Sequence, residues 1–214
     1  MRMRIGGFLP LSLCDYPGRV AAVVFTRGCN FRCPFCHNGH LLDAADAPDD
    51  PAADDVLARL AEFAARLQGV VVSGGEPTLQ PGLADFLRRI RALRLAIKLD
   101  TNGSRPDVLA ALLAERLVDF IAMDIKAPWE KYPVLAGAPC DVPALQRSVA
   151  LIAGSGVPHQ FRTTRVMPLL TDADCAAIAR QVPAGSPHVF QAFQPGHALE
   201  PSLRNAIPTE TRRD

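Results

Sequence analysis

Three closely spaced cysteines are the residues of this chain best suited to chemistry. Cys29, Cys33 and Cys36 follow one another with the spacing C-x3-C-x2-C. Three thiolates can ligate three corners of a four-iron cluster and leave the fourth iron open to water, a substrate or a cofactor. A zinc site is the alternative, with His37 or His40 as fourth ligand, because structural zinc is normally tetrahedral and closed. The spacing predicts a metal centre and favours an iron–sulfur cluster with one open iron.

The composition is typical of a globular protein that binds neither nucleic acid nor a membrane. Of 214 residues, 49% are hydrophobic and 21% charged, and 23 Lys and Arg nearly balance 22 Asp and Glu. This balance provides no long-range attraction to nucleic acid or to an anionic membrane surface. The sequence has no signal-peptide pattern and no apolar stretch of about 18 residues, so we predict a cytoplasmic protein.

The other three cysteines do not form a second motif. Cys14, Cys140 and Cys175 lie far apart in the sequence. Free cysteine is among the most buried residue types, so we interpret these three as small hydrophobic residues of the interior.

Short β-branched runs alternate with longer amphipathic segments from residue 20 onward, a pattern typical of β/α units with a parallel sheet. The predicted strands are residues 20–26, 69–73, 95–100, 119–124, 159–166 and 188–193. The predicted helices are residues 54–67, 83–93, 106–116, 142–153 and 172–181. We therefore predict an α/β fold, a partial (β/α)6 barrel with a mostly parallel sheet.

The whole chain is predicted to form one domain. Its core spans about residues 15–195, and residues 196–214 form a polar tail that lies over the body or frays. Residues 43–54 are rich in Ala, Asp and Pro without periodicity, which indicates a surface loop before the first helix.

Glycine-rich and polar motifs follow the first four predicted strands. The carboxyl ends of parallel strands meet at one edge, where ligand-binding loops gather. The motif residues expected at this edge are Cys29, Cys33, Cys36, Phe35, Gly74, Gly75, Glu76, Asp100, Thr101, Asn102, Asp124 and Lys126. Apart from the cysteines, each motif could by itself be a turn, a packed aromatic or an exposed ion pair. The cysteines favour a single ligand site formed by all four loops.

The chain resembles the radical S-adenosylmethionine enzymes, and among them the activating enzymes of glycyl-radical proteins. The likeness runs from about residue 6 to residue 195 and rests first on the cysteine motif, with Phe35 before its last cysteine and His37-Asn38 after it. The segment Asp15-Tyr16-Pro17-Gly18 also resembles the lead-in of activating enzymes. Within this group the chain is similar to the short form of the anaerobic ribonucleoside-triphosphate reductase activating protein.

The resemblance implies two cofactors. These are a [4Fe-4S] cluster ligated by Cys29, Cys33 and Cys36, and S-adenosyl-L-methionine at the open iron. Reductive cleavage of the second cofactor would give methionine and a 5′-deoxyadenosyl radical. The resemblance also implies that the remaining motif residues, Phe35, Gly74, Gly75, Glu76, Asp100, Thr101, Asn102, Asp124 and Lys126, contact S-adenosyl-L-methionine.

The implied partner is a glycyl-radical enzyme, above all anaerobic ribonucleotide reductase, which would lose a hydrogen atom from one glycine. Reduced flavodoxin or ferredoxin would donate the electron. Six β/α units leave a barrel incompletely closed, so a protein loop can enter from the open side. Two alternatives remain. One is a radical enzyme for a small molecule, similar to the 7-carboxy-7-deazaguanine synthases, and the other is a non-catalytic zinc-binding module.

Overall fold

A single seven-stranded sheet forms the centre of the molecule in a computed structural model, which describes residues 3–167 and 169–205. The strands are β1 Ile5–Tyr16, β2 Arg19–Thr26, β3 Gly69–Gly74, β4 Ala96–Thr101, β5 Phe120–Asp124, β6 His159–Arg165 and β7 His188–Ala192. Strand β1 pairs antiparallel with β2, and each later strand pairs parallel with the strand before it. The predicted fold class is confirmed.

All six predicted strands are present, with ends within one residue of the prediction. The prediction missed β1, which adds an antiparallel edge. Gly6, Gly7 and Pro10 interrupt its sequence pattern, and its register against β2 shifts between Leu9 and Ser12 and again before Tyr16. Bulges and proline are typical of edge strands, because the outer side of such a strand needs no hydrogen-bonding partner.

Helices cover the outer face of the sheet. They are α1 Ala53–Phe63, α2 Leu83–Ala92, α3 Pro106–Ala114, α4 Tyr132–Ala136, α5 Val142–Gly154 and α6 Asp172–Gln181. The five predicted helices are confirmed, although α1 ends earlier than predicted and continues as a short 3-10 turn, Ala64–Arg66. The five-residue helix α4 was not predicted, because one turn and a half carries no readable periodicity.

The parallel strands are buried on both faces, which explains their nearly continuous apolar sequences. Outward-facing residues such as Val24, Val72 and Leu99 join the large core beneath the helices. Inward-facing Tyr16, Ala21, Val23 and Val71 form a second, smaller cluster inside the curled sheet. This inner cluster fills the inside of the curled sheet beside β1, β2 and β3.

The described part of the predicted tail packs on the domain. Ala198 and Leu203 are buried, and the backbone N–H of Glu200 donates to the carbonyl of Pro34 at 2.8 Å. Residues 196–205 therefore lie against the loop that carries the cysteines. Residues 206–214 of the predicted tail lie outside the described residues.

Within residues 3–167 and 169–205, no helix has the length and apolarity needed to cross a membrane.

Candidate active site

One cavity of about 370 Å³ lies inside the curled sheet at the carboxyl ends of its strands. Its wall extends from Asp15 on β1 to Gln191 on β7, so the sheet curves around it. All predicted site residues line this cavity, namely Cys29, Cys33, Cys36, Phe35, Gly74, Gly75, Glu76, Asp100, Thr101, Asn102, Asp124 and Lys126. The structure thus brings the four predicted loops together.

The cysteine loop follows β2 and is fixed by backbone contacts on both sides. The N–H groups of Gly28 and Cys29 donate to the carbonyls of Leu41 and Leu42, at 2.8 and 3.1 Å. Further along, the N–H of Arg32 donates to the carbonyl of Ala136 at 2.7 Å. The otherwise unpredicted helix α4 therefore helps to position the loop.

Cys140 and Cys175 are partly buried against the core, whereas Cys14 is exposed, so its predicted place in the interior is wrong.

The six cysteines form no disulfide, so the three in the loop are free to ligate a metal. Burial raises the pKa of Cys33 to about 12 in the protein without a metal. In the described part of the chain, no three His, Cys, Asp or Glu side chains are grouped closely enough to hold a single metal ion. The ring of His37 stacks on Phe193 with centroids 5.8 Å apart. Three separated thiolates suit a cluster, in which each sulfur binds a different iron atom.

Two adjacent glycines allow the loop after β3 to pack closely against the cysteine loop. Gly74 has a φ of 106°, and a Cβ there would collide with the backbone of Thr26. A Cβ on Gly75 would collide with the carbonyl of Gly28. The N–H of Gly75 donates to the Thr26 carbonyl, and that of Glu76 donates to the Gly28 carbonyl, both at 2.8 Å. The glycines therefore serve close packing between two loops of the site.

We predict that Gly74→Ala lowers the free energy of unfolding by about 2–4 kcal/mol, because alanine disfavours the positive φ and its Cβ meets backbone atoms. Urea unfolding measures this difference. Gly154→Ala is the matched control, since a Cβ at Gly154 meets nothing within 4 Å and this residue ends α5. Equal stability of the two variants would contradict the predicted strain.

Glu76 is the most enclosed carboxylate of the site and joins its own loop after β3 to the end of β4. Its Oε1 accepts from the N–H and hydroxyl of Thr78, at 3.1 and 2.5 Å, and from the hydroxyl of Thr101 at 2.7 Å. Its Oε2 accepts from the N–H of Asn102 at 2.6 Å. Burial raises the pKa of Glu76, and these donors limit that rise. The predicted cofactor ligand therefore spends most of its acceptor capacity on the protein itself.

A chain of alternating charges crosses the cavity wall. Lys98 Nζ lies 2.5 Å from Asp100 Oδ1, Arg162 Nη1 lies 3.4 Å from Asp100 Oδ2, and Arg162 Nε lies 2.9 Å from Asp124 Oδ1. Lys126 Nζ completes the series, 3.3 Å from Asp124 Oδ2. Both ends of this series are cations, and Lys126 is the end that lines the cavity, which suits a ligand that carries a carboxylate.

Neighbouring charges dominate the pKa values of the side chains in this series. Burial opposes the charged forms, but Asp124 outweighs it and raises the pKa of Lys126 and of Arg162. Burial likewise opposes the carboxylate of Asp124, but Arg162 and Lys126 lower its pKa overall. All three groups are therefore charged at neutral pH. Lys126 Nζ also lies 5.9 Å from the centroid of the Phe35 ring, within the range of a cation–π contact.

Sequence reasoning missed Lys98 and gave Arg162 no firm role. Lys98 is only 2% exposed, although it lies in the middle of β4 between Ile97 and Leu99. A lysine inside an otherwise apolar strand is the signal that could have identified it, because buried lysine requires a charged partner. Arg162 gave no comparable signal, since only the folded sheet places it between Asp100 and Asp124.

The family model for the Radical SAM superfamily matches residues 23–182 of the chain. The chain belongs to this superfamily. Radical SAM enzymes use a [4Fe-4S] cluster and S-adenosylmethionine, so this chain is an enzyme and the predicted cofactor pair is confirmed at the level of the family. The match contains the cysteine motif and the loops after β3, β4 and β5.

Two curated radical SAM relatives carry names of activating enzymes. A protein of Methanocaldococcus jannaschii assigned by name to the glycyl-radical enzyme activating enzymes is 29% identical over 95% of this chain and 85% of its own length. The pyruvate formate-lyase-activating enzyme of Clostridium pasteurianum is 32% identical over 58% of this chain and 52% of its own length. The chain thus spans most of the first relative and about half of the second.

A solved radical SAM structure has the same fold. The enzyme anSMEcpe with bound AdoMet is 16% identical, covers 82% of this chain and 55% of its own, and superposes with a TM-score of 0.58. At this identity the likeness concerns the arrangement of strands and helices alone, and it agrees with the open, partial barrel described above.

Proposed function

We propose that this radical SAM enzyme activates a glycyl-radical enzyme by removing a hydrogen atom from one of its glycines. Cys29, Cys33 and Cys36 would hold the [4Fe-4S] cluster, a role that their free thiols and shared cavity support. When bound, the cluster supplies the electron that cleaves S-adenosylmethionine into methionine and the adenosyl fragment that takes the hydrogen atom.

The chain's own residues bind and orient the second cofactor. Lys126 and Arg162 are the Lys and Arg side chains among the described residues that line the cavity, which supports a role in binding the methionine carboxylate. Gly74 and Gly75 line the cavity together with the cysteines, and their backbone would contact the amino group. Phe35, buried at 6% exposure, would exclude water next to the cluster.

The partner proposal rests on exposed apolar side chains at the two edges of the sheet, beside the cavity and outside its lining. Strands β1 and β7 are the two edges of the sheet, and they do not pair with each other within the described residues. Leu9 pairs with Val23, and Val189 pairs with Arg162, so both side chains lie on the inner face of the sheet. They are 41% and 43% exposed.

Further exposed apolar residues lie on the same two sides. Leu11 and Leu13 continue β1, and Met167 follows β6. Exposed apolar side chains at the sheet edges, next to a charged interior, fit a polypeptide that lays its own apolar side chains on these edges and extends one backbone segment inward. A glycine is suited to that segment, because it has no side chain to obstruct the approach.

We further propose anaerobic ribonucleoside-triphosphate reductase as the partner, with reduced flavodoxin or ferredoxin as the electron donor. The likeness to an assigned glycyl-radical enzyme activating enzyme over nearly the full chain supports the class of partner. The sequence resemblance to the short reductase activating proteins supports this member of the class.

The test combines the anaerobically purified protein with a reductant, S-adenosylmethionine and anaerobic ribonucleotide reductase. We expect 5′-deoxyadenosine by chromatography and a glycyl-radical doublet by electron paramagnetic resonance. Leu9→Asp should lower the radical yield at limiting reductase, because a carboxylate disfavours an apolar contact. Val134→Asp is the control, since Val134 is 72% exposed on helix α4 and does not line the cavity.

Other outcomes distinguish the alternatives. Efficient cofactor cleavage without a doublet would reject the reductase as partner and favour a small-molecule substrate. Stoichiometric zinc without acid-labile sulfide would reject radical chemistry and support the zinc-binding module.

A further inference from the structure

Asn102 contacts the cysteine loop with its side chain. Its Nδ2 lies 2.9 Å from Asn30 Oδ1 and 3.9 Å from Cys29 Sγ, the longer range that hydrogen bonds to sulfur allow. Its Oδ1 accepts from the N–H of Ser104 at 2.9 Å. Because the backbone donor occupies the oxygen, the amide must turn its NH₂ group toward the cysteine.

The position of this amide is fixed from several directions. Asn102 is 5% exposed, and its backbone N–H donates to the buried Glu76 carboxylate at 2.6 Å. In the next residue, the N–H of Gly103 donates to Thr101 Oγ1 at 3.0 Å, and its carbonyl accepts from Ser148 Oγ at 2.6 Å. The side chain therefore has little freedom to turn away from Cys29.

Cys29 differs from the other two cysteines of the loop. Besides Asn102, the backbone N–H of Phe31 donates to its sulfur at 3.4 Å. No hydrogen bond reaches the sulfur of Cys33 or Cys36 from any residue that the structure describes. The three sulfurs thus have unequal surroundings, and the inequality is centred on one thiolate.

We propose that Asn102 is a positioning residue that raises the reduction potential of the cluster through Cys29. Reduction adds negative charge to the cluster and its thiolates, and an N–H dipole aimed at a thiolate stabilises that added charge. The amide for which the resemblance implied a contact with S-adenosylmethionine thus also contacts a cluster ligand. This role concerns the cluster alone, so it does not depend on which partner the enzyme activates.

The test is the midpoint potential of the cluster in the full chain without S-adenosylmethionine. It is measured in a redox titration that is monitored by electron paramagnetic resonance. Asn102→Ala removes the donor, so the midpoint should shift to a more negative value. Asn102→Asp keeps the shape and the acceptor for Ser104 but replaces the donor by an anion, so its shift should be larger. Iron and sulfide content is measured for each variant.

Asn38→Ala is the matched control. Asn38 lines the same cavity, yet its side chain makes no hydrogen bond to a cysteine sulfur within the described residues. The midpoint potential of the cluster in Asn38→Ala should therefore equal that of the wild type. An unchanged midpoint in Asn102→Ala with a full cluster would overturn the proposal. Loss of the cluster from both Asn102 variants would overturn it as well, since it would make Asn102 an assembly residue. A failed glycyl-radical assay leaves this measurement unaffected.

Discussion

Cys33→Ala is expected to lose nearly all cluster iron and acid-labile sulfide, and with them all cleavage of S-adenosylmethionine. Cys33 is the most buried of the three loop cysteines and lies in the wall of the cavity. A cluster with two remaining thiolates would expose a second iron, and clusters depend on their thiolate ligands for stability. Iron and sulfide assays after anaerobic reconstitution, with chromatography of 5′-deoxyadenosine, measure the loss.

Cys140→Ala controls for the removal of a thiol. Its sulfur lies 3.2 Å from the carbonyl of Ala138 and does not line the cavity, so this variant should keep its cluster. A complete four-iron cluster in Cys33→Ala would show that the proposed ligand set is wrong.

Glu76→Ala is expected to lower the free energy of unfolding by about 3–5 kcal/mol, because it leaves buried donors of Thr78, Thr101 and Asn102 without an acceptor. Glu76→Gln should lose about 1–2 kcal/mol. Its amide oxygen can serve the donors of Thr78 and Thr101, whereas its NH₂ group faces the N–H of Asn102 as a second donor. Urea unfolding of the metal-free protein measures both differences.

Glu62→Ala provides the comparison for a carboxylate outside the site. Glu62 Oε2 lies 3.4 Å from Arg59 Nη1 on the exposed side of α1. Such an exposed ion pair contributes about 0–1 kcal/mol to the free energy of unfolding. If Glu76→Ala were as stable as Glu62→Ala, the buried carboxylate would not hold the loop after β3 to the end of β4.

The sequence was sufficient to predict which residues share the cavity. A parallel sheet places the ends of its strands on one edge, so the positions of Cys29, Gly74, Asp100 and Asp124 after predicted strands implied their proximity. Residue types, however, do not reveal which hydrogen bonds each side chain makes. The residue type of Glu76 suggested a ligand for an ammonium group. Only the folded chain shows that Thr78, Thr101 and Asn102 use most of the hydrogen-bond acceptor capacity of its carboxylate.

Contacts between distant segments account for what was missed. Strand β1 lacks regular alternation, because its bulges and Pro10 are tolerated at an edge that pairs on one side only. Lys98 pairs with Asp100 on its own strand, and its place within an apolar strand was a readable signal. Arg162 on β6, however, pairs with Asp100 on β4 and Asp124 on β5. No local pattern encodes such a pairing.

The order of the sheet has a consequence for how the protein is made. Each strand pairs with the strand immediately before it in sequence, so a nascent chain can add strands one at a time from the β1 edge. The cysteines leave the ribosome early, but the contacts that enclose them come from Asn102, Ala136 and finally Glu200. We therefore expect the cysteine loop to remain accessible to donors of iron and sulfide until synthesis is nearly complete.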